Sequence, residues 1–176
     1  MKSILISIKP KWVAKILNGE KTIEIRKTMP KCDLPVDVYI YCTKDNKHGL
    51  YWTDRWVCVN QKGCIPSIRK GKVVAKFTLN KVEEILHRHC FVGDELKTFY
   101  FTDEIQAPSE FERLSCLTKE EIYSYCLYVG YAWHISNLVI FDEPKYLCDF
   151  WNTKKGVFCC PLTKAPQNYC YIETES

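Results

Sequence analysis

Hydrophobic and polar positions alternate with a period of two in two stretches near the start of the chain, residues 4–8 and residues 22–26. Such alternation predicts a half-buried β-strand in each stretch. Between them, the apolar side chains of residues 12–17 recur at helical spacing, directly after Pro10. Proline is favoured at the first position of a helix and glycine just past its end, so Pro10 and Gly19 bound a short predicted helix. The opening segment is therefore predicted to be strand, helix, turn and strand.

Four later stretches are also predicted to be strands, the first two of them from a period-two alternation. They are residues 36–42, 73–79, 138–141 and 169–172. Thr118 followed by Glu121 forms a capping box, which predicts the start of a second helix. That helix has an inward apolar stripe and is predicted to end at Gly130. The stripe comprises Ile122, Tyr125, Cys126 and Val129.

These elements follow one another in the order β-α-β-β-(loop)-β-α-β-β. Many short strands with two main helices are typical of an α+β protein built on a mostly antiparallel β-barrel flanked by helices. The length suits one domain, residues 1–176. Residues 43–70 and 87–115 lack a clear period and are predicted to be irregular. The first of these is interpreted as an insertion-like loop, rich in aromatic and basic side chains such as Trp52.

Positive charge is concentrated in the first 31 residues, which hold eight basic and two acidic residues, whereas the whole chain has a net charge of +4. A concentrated basic face is typical of a protein that binds polyanions. If Ile23 and Ile25 point into a core, Glu24 and Arg26 point the other way, with Lys21 at the preceding turn. The cluster predicts either a ligand site or an ion-pair network that stabilises the fold.

The order of residues in this segment resembles the N-terminal motif of the ASCH domain family, as found in phage and bacterial proteins. The motif is carried by Ser7, Lys9, Pro10, Lys15, Ile16, Gly19, Lys21, Thr22, Glu24 and Arg26. Residues 131–145 and 164–172 resemble a strand-loop-strand and the final strand of the same group. The resemblance implies a PUA-like fold, a small β-barrel with a cleft between helix and barrel. It also implies nucleic-acid binding, with RNA the more natural target.

In this hypothesis, basic side chains contact phosphate or a base edge, and the rings of Trp12, Trp133 or Trp52 stack on bases. The candidate ligand-binding residues are Lys9, Lys15, Lys21, Thr22, Arg26, Trp12, Trp133 and His134.

A second hypothesis is an enzyme. The motif is similar to the G-x-K-T-x-T-x-R of bacterial acetylcytidine amidohydrolases, in which the lysine and the second threonine are catalytic. Lys21 matches that lysine, but Glu24 stands at the threonine position. A carboxylate is a poor replacement for a hydroxyl nucleophile, but it suits a general base. Lys21 and Glu24 are thus the candidate catalytic pair of an amidohydrolase acting on a modified nucleoside, or of a ribonuclease. A protein-interaction adaptor that uses exposed aromatic side chains is a third alternative.

Eleven cysteines, an odd number without any C-x-x-C pair, argue against both a disulfide framework and a zinc site. No metal and no cofactor are therefore expected. No apolar run approaches the roughly 20 residues of a membrane span, and lysines interrupt the N-terminal apolar run. We expect a cytoplasmic protein whose partner is RNA, another nucleic acid or a nucleoside, and not a membrane. The sequence leaves the oligomeric state open.

Overall fold

A seven-stranded sheet forms the centre of the protein in a computed structural model, which describes residues 2–45, 47–60, 70–153 and 160–174. The opening strand, helix and strand follow the predicted order. The strands are β1 (Lys2–Ile8), β2 (Ile23–Arg26), β3 (Val36–Cys42), β4 (His48–Trp52), β5 (Trp56–Asn60), β6 (Lys72–Glu84), β7 (Leu86–Val92), β8 (Glu95–Phe101), β9 (Tyr131–Lys145), β10 (Trp151–Asn152) and β11 (Tyr169–Glu173). The helices are α1 (Pro10–Leu17), α2 (Pro108–Ser115) and α3 (Lys119–Cys126), with a 3-10 turn at Leu147–Asp149.

The strands of the main sheet lie in the order β10-β11-β1-β3-β6-β9-β2. β1 and β3 are parallel, and the other neighbouring pairs are antiparallel. The β4–β5 and β7–β8 pairs form two separate hairpins. The predicted α+β class is confirmed, and strands dominate the described residues.

The sheet is open, and β2 and β10 are its two edges among the described residues. The predicted closure into a barrel is therefore not confirmed. A side chain, not a backbone ladder, joins β2 to the ends of β1 and β11. Arg26 Nη2 donates to the carbonyl oxygen of Ser7 at 3.0 Å, and Arg26 Nη1 donates to Asn168 Oδ1 at 2.8 Å. A gap wide enough for a guanidinium group is too wide for direct hydrogen bonds between strands.

Two hydrophobic cores lie on opposite faces of β2 and β9. The core beneath α1 includes the fully buried Ile6, Val13, Phe77 and Trp133. The core beneath α2 and α3 includes Ile23, Ile25, Phe111 and Ile122. Because β2 gives Ile23 and Ile25 to the second core, the alternation of the strand directs Glu24 and Arg26 to the other face, as predicted.

The segments predicted to be irregular contain regular elements. Within residues 43–70, β4 and β5 form a hairpin that packs on α1, and residues 61–69 lie outside the described part of the chain. Trp56 is buried there, whereas Trp52 at the hairpin tip is 62% exposed. Within residues 87–115, β7 and β8 pair and α2 begins at Pro108. Much of the β7–β8 hairpin is exposed on both faces, so its sequence carries no period-two signal.

The second half of the chain differs from prediction in two details. β9 is a single strand of 15 residues, bent at Asn137 with φ 49°, where a strand-loop-strand is expected. The capping box of Thr118 and Glu121 is confirmed at the start of α3. The helix ends at Cys126 because Leu127 has φ 57°, and Val129 therefore lies outside it. In the described ranges, no helix combines the length and apolar character needed to cross a bilayer.

Candidate functional site

Lys21, Glu24 and Arg26 form a buried ion cluster, which is called the triad below. Glu24 lies between the two cations, with Oε2 at 3.4 Å from Lys21 Nζ and Oε1 at 2.9 Å from Arg26 Nη2. Each of the three side chains is more than nine-tenths buried. Ions at this depth persist only when each charge is paired and hydrogen-bonded. The triad is thus an interdependent unit.

The turn after α1 sets the position of Lys21. Gly19 adopts φ +73°, which ends the helix, and the Lys21 N–H then donates to the carbonyl of Lys15 at 3.0 Å. From this position Lys21 Nζ donates to the Ser115 carbonyl at the end of α2, at 2.5 Å. The carboxyl end of a helix carries partial negative charge, which favours an ammonium group there. The triad therefore ties the end of α2 to β2.

Arg26 makes the contacts on the opposite side of the triad. Its two terminal nitrogens bind Ser7 and Asn168, as described above. Its remaining donor, Nε, is buried and has no hydrogen-bond partner in the described ranges. A buried donor without a partner is rare in proteins, because it has lost its water without compensation.

Burial changes the acid-base properties of the site. It lowers the pKa of the Lys21 ammonium, and the adjacent Glu24 carboxylate opposes that shift. Burial also raises the pKa of the nearby Tyr125 hydroxyl. A lysine with a lowered pKa releases its proton more readily than a solvated lysine, which is a property that general acid-base catalysis requires.

The triad lines a pocket of about 1060 Å³, framed by the start of α1, the ends of β1 and β3, and α3. Five basic and three acidic side chains line it, together with the rings of Trp12, Tyr41 and Tyr125. Pockets that take small molecules or single groups have volumes of roughly 300–1,000 Å³. The cavity can accommodate a ligand as large as a nucleotide.

Five of the predicted site residues line this pocket. They are Lys9, Trp12, Lys21, Glu24 and Arg26. Lys11 lies over the Trp12 ring at 4.2 Å and is also 3.4 Å from Glu121 on α3. These contacts fix the side of the pocket that α1 forms.

The other predicted residues lie elsewhere. Lys15 Nζ is 3.2 Å from Glu20, and neither Lys15 nor the half-buried Thr22 lines the pocket. His134 Nε2 is hydrogen-bonded to Glu83 on β6, away from the cavity. The prediction that Trp133 offers a stacking surface is wrong. Its side chain is fully buried in the main core, with its ring centroid 5.3 Å from that of Tyr169.

Several pocket residues were not predicted as site residues. Tyr125 and Glu121 occupy α3, where helical spacing predicts only an inward stripe and a cap. Lys44 and His48 come from the segment without a clear period. Asn168, which accepts a hydrogen bond from Arg26 but does not itself line the pocket, precedes the last strand. These residues come close to the triad only in the folded chain, so local sequence patterns do not identify them. The one available signal was the family resemblance of residues 164–172, which include Asn168.

The fold and site define a class of protein: a small α+β domain in which an open sheet and short helices enclose a pocket containing buried ions. The model of the ASCH domain matches residues 6–137, and the chain belongs to the ASCH domain family. No curated protein is similar in sequence to this chain.

Solved ASCH structures share the fold. Two mutant forms of the ASCH protein from Zymomonas mobilis are similar, with TM-scores of 0.57 and 0.56 and 16% identity in both cases. The match covers 98% and 97% of this chain and 91% and 88% of those chains. At this identity, the likeness establishes the common fold and nothing about the ligand.

Proposed function

We propose that the protein binds RNA, with the pocket as its binding cleft. The observation that carries the proposal is a pair of lysines at the pocket, Lys9 and Lys44. Both are exposed, and neither has an ion-pair partner within the described ranges. Unpaired cations at a cleft attract phosphate groups and release counterions when they bind them.

The aromatic rings of the cleft support a single-stranded target. Trp12 is half-buried in the pocket wall, and Tyr125 lies on the α3 side. Unpaired bases stack on such rings, whereas bases in a duplex do not enter a cleft. RNA is preferred over DNA in this proposal because RNA presents unstacked bases in its loops and ends.

A salt titration tests the proposal. A labelled, mixed-sequence single-stranded RNA is expected to bind, and its affinity should fall linearly with salt on logarithmic axes. The double variant Lys9→Ala, Lys44→Ala should reduce the slope by about 0.7 for each phosphate group that a lysine no longer neutralises. Lys15→Ala is the matched control, because Lys15 lies on α1, close in sequence to Lys9, but is paired with Glu20 outside the pocket. Absence of binding at low salt, or binding that is independent of salt, contradicts the proposal.

Hydrolysis is a second candidate function, supported by the lowered pKa of the buried Lys21 beside Glu24. In this mechanism Glu24 accepts a proton from the attacking water, and Lys21 polarises the carbonyl oxygen of an amide or a phosphoryl oxygen of RNA. The proton then passes from Glu24 to the leaving group. The substrate is an amide on a modified nucleoside, or the RNA strand itself. Chromatography after incubation with acetylcytidine and with RNA tests this. Product formed by the wild type but not by a folded Glu24→Gln variant supports it, and intact substrate contradicts it.

A further inference from the structure

The edge of β2 that faces away from β9 borders the pocket, although all four residues of the strand are buried. β2 is the last strand of the sheet, and β9 is its only neighbour among the described residues. Ile25 on this strand lines the cavity. Its side chain belongs to the second core and is buried. The polar groups that Ile25 offers at the edge are therefore those of its backbone.

The register of β2 and β9 fixes which backbone groups point outward. The N–H of Ile135 donates to the carbonyl of Thr22 at 2.9 Å, and Glu24 lies opposite Trp133. In an antiparallel pair, hydrogen-bonded and non-hydrogen-bonded residue pairs alternate. Glu24 is thus bonded to β9, whereas the N–H and C=O of Ile25 both point to the free edge.

Arg26 provides an independent observation at the same place. Its Nε is buried without a hydrogen-bond partner in the part of the chain that is described, and its side chain, 6% exposed, lines the same pocket. Among the described residues, the gap between β2 and β1 therefore presents the unpartnered Arg26 Nε together with the N–H and C=O of Ile25, which the register turns away from β9. Such groups are costly in a folded protein unless water or a ligand binds them.

We propose that this edge reads the Watson–Crick edge of one unpaired nucleobase, through the N–H and C=O of Ile25 and with Arg26 Nε as a third contact. The inference rests on the proposed RNA binding and adds what the cleft recognises. Each nucleobase carries neighbouring donor and acceptor groups on its Watson–Crick edge. These match a strand residue whose own donor and acceptor point the same way.

A base fits this edge better than an added peptide strand does. Strand addition needs outward backbone groups at alternate positions along an edge. β2 has four residues, and Ile25 is the outward-pointing one that lines the pocket, whereas Ile23 does not. One donor and one acceptor suit a planar ring, and Trp12 in the same pocket offers it a stacking surface.

Methylated RNAs test the inference. Short single-stranded homopolymers of each base are compared with versions methylated on the Watson–Crick ring nitrogen, for example uridine against N3-methyluridine. Versions with 2′-O-methyl groups are the control, since that methyl group lies away from the base edge. For the base that binds most tightly, ring methylation should weaken binding about tenfold or more, because the hydrogen bonds no longer form and their protein partners stay buried. The 2′-O-methylated RNA should bind with the same affinity as the unmodified RNA.

Amide hydrogen exchange adds a readout at the residue itself. Saturating RNA should slow exchange of the Ile25 amide, while the Glu24 amide, already bonded to β9, should not change. RNA that binds equally well with and without the ring methyl group, or an Ile25 amide that is unaffected, overturns this inference and leaves RNA binding intact. Failure of every RNA to bind overturns both.

Discussion

Two ionic clusters flank the pair of strands β2 and β9, and they differ in what surrounds them. The triad lines the pocket and holds an unpartnered donor at Arg26 Nε. The second cluster, called the β6–β9 cluster, joins β6 to β9 and to the loop after β8, and none of its members lines the pocket. It comprises Lys81, Glu83, Glu104 and His134.

Glu83 is the centre of the β6–β9 cluster. Glu83 binds His134 Nε2, lies 3.3 Å from Lys81 Nζ and accepts the backbone N–H of Glu104 at 3.1 Å. These contacts involve both oxygens of the Glu83 carboxylate. Buried charge alone therefore does not identify a functional site. Access to a cavity distinguishes the triad, since among the described residues a buried donor without a hydrogen bond occurs in both clusters, at Arg26 Nε and at Lys81 Nζ. The β6–β9 cluster is expected to act only on stability.

The largest effect is expected from Glu24→Ala. It leaves Lys21 and Arg26 buried without their shared anion, and removal of one partner from a buried ion pair costs about 3–5 kcal/mol. Urea unfolding followed by circular dichroism measures the change. Glu20→Ala is the matched control, because Glu20 pairs with Lys15 at the surface and should contribute about 0–1 kcal/mol. Equal losses in the two variants would mean that water solvates the triad.

A smaller loss of stability, without any loss of RNA binding, is expected from Glu83→Gln. Hydrogen bonds to a charged group contribute about 1.5–3 kcal/mol, and the amide keeps the shape of the side chain. Unfolding and RNA titration on one preparation separate the two effects. Weaker RNA binding by the folded variant would contradict the division of roles between the clusters.

The two clusters also differ in how far the sequence predicts them. The triad follows from local rules, because a period of two directs Glu24 and Arg26 to one face and Gly19 ends α1. The β6–β9 cluster does not, since Glu83 and His134 are 51 residues apart and meet only through the register of β6 and β9. The same limit applies to Trp133, whose burial depends on α1 and Tyr169 packing over it.

Sequence periodicity also fails to predict elements in which neither face is consistently apolar. The β7–β8 hairpin is one example, because both of its faces meet solvent along much of its length. The open edge of β2 is another, since strand order is a property of the whole sheet. Sequence periodicity gives the local elements and the faces of their side chains, whereas the pocket requires the topology.

The substitution Trp12→Ala tests whether RNA binds in the pocket that the triad lines. The Trp12 ring lines the pocket, 4.2 Å from Lys11 Nζ and 5.4 Å from Lys21 Nζ. Loss of one stacking ring costs about 1–3 kcal/mol, so RNA affinity should fall about 5- to 150-fold. Trp52→Ala is the control, since Trp52 lies at an exposed hairpin tip outside the pocket. Similar losses in both variants would place the RNA outside the cleft.

The smallest expected effect is a pH dependence of the unfolding free energy, which arises from the β6–β9 cluster. Desolvation alone would raise the pKa of Glu83, but the hydrogen bonds from the Glu104 N–H, His134 and Lys81 outweigh it and lower the pKa below the ordinary 4.5. A carboxyl group whose pKa is lower in the folded state stabilises the fold above its unfolded value, and this contribution disappears as the pH falls through the folded value.

The difference in unfolding free energy between wild type and Glu83→Gln should therefore be full at neutral pH and shrink below about pH 4.5. Urea unfolding over a series of pH values measures it. A difference that stays constant down to strongly acidic pH would show that Glu83 acts through its shape and neutral hydrogen bonds, not through its charge.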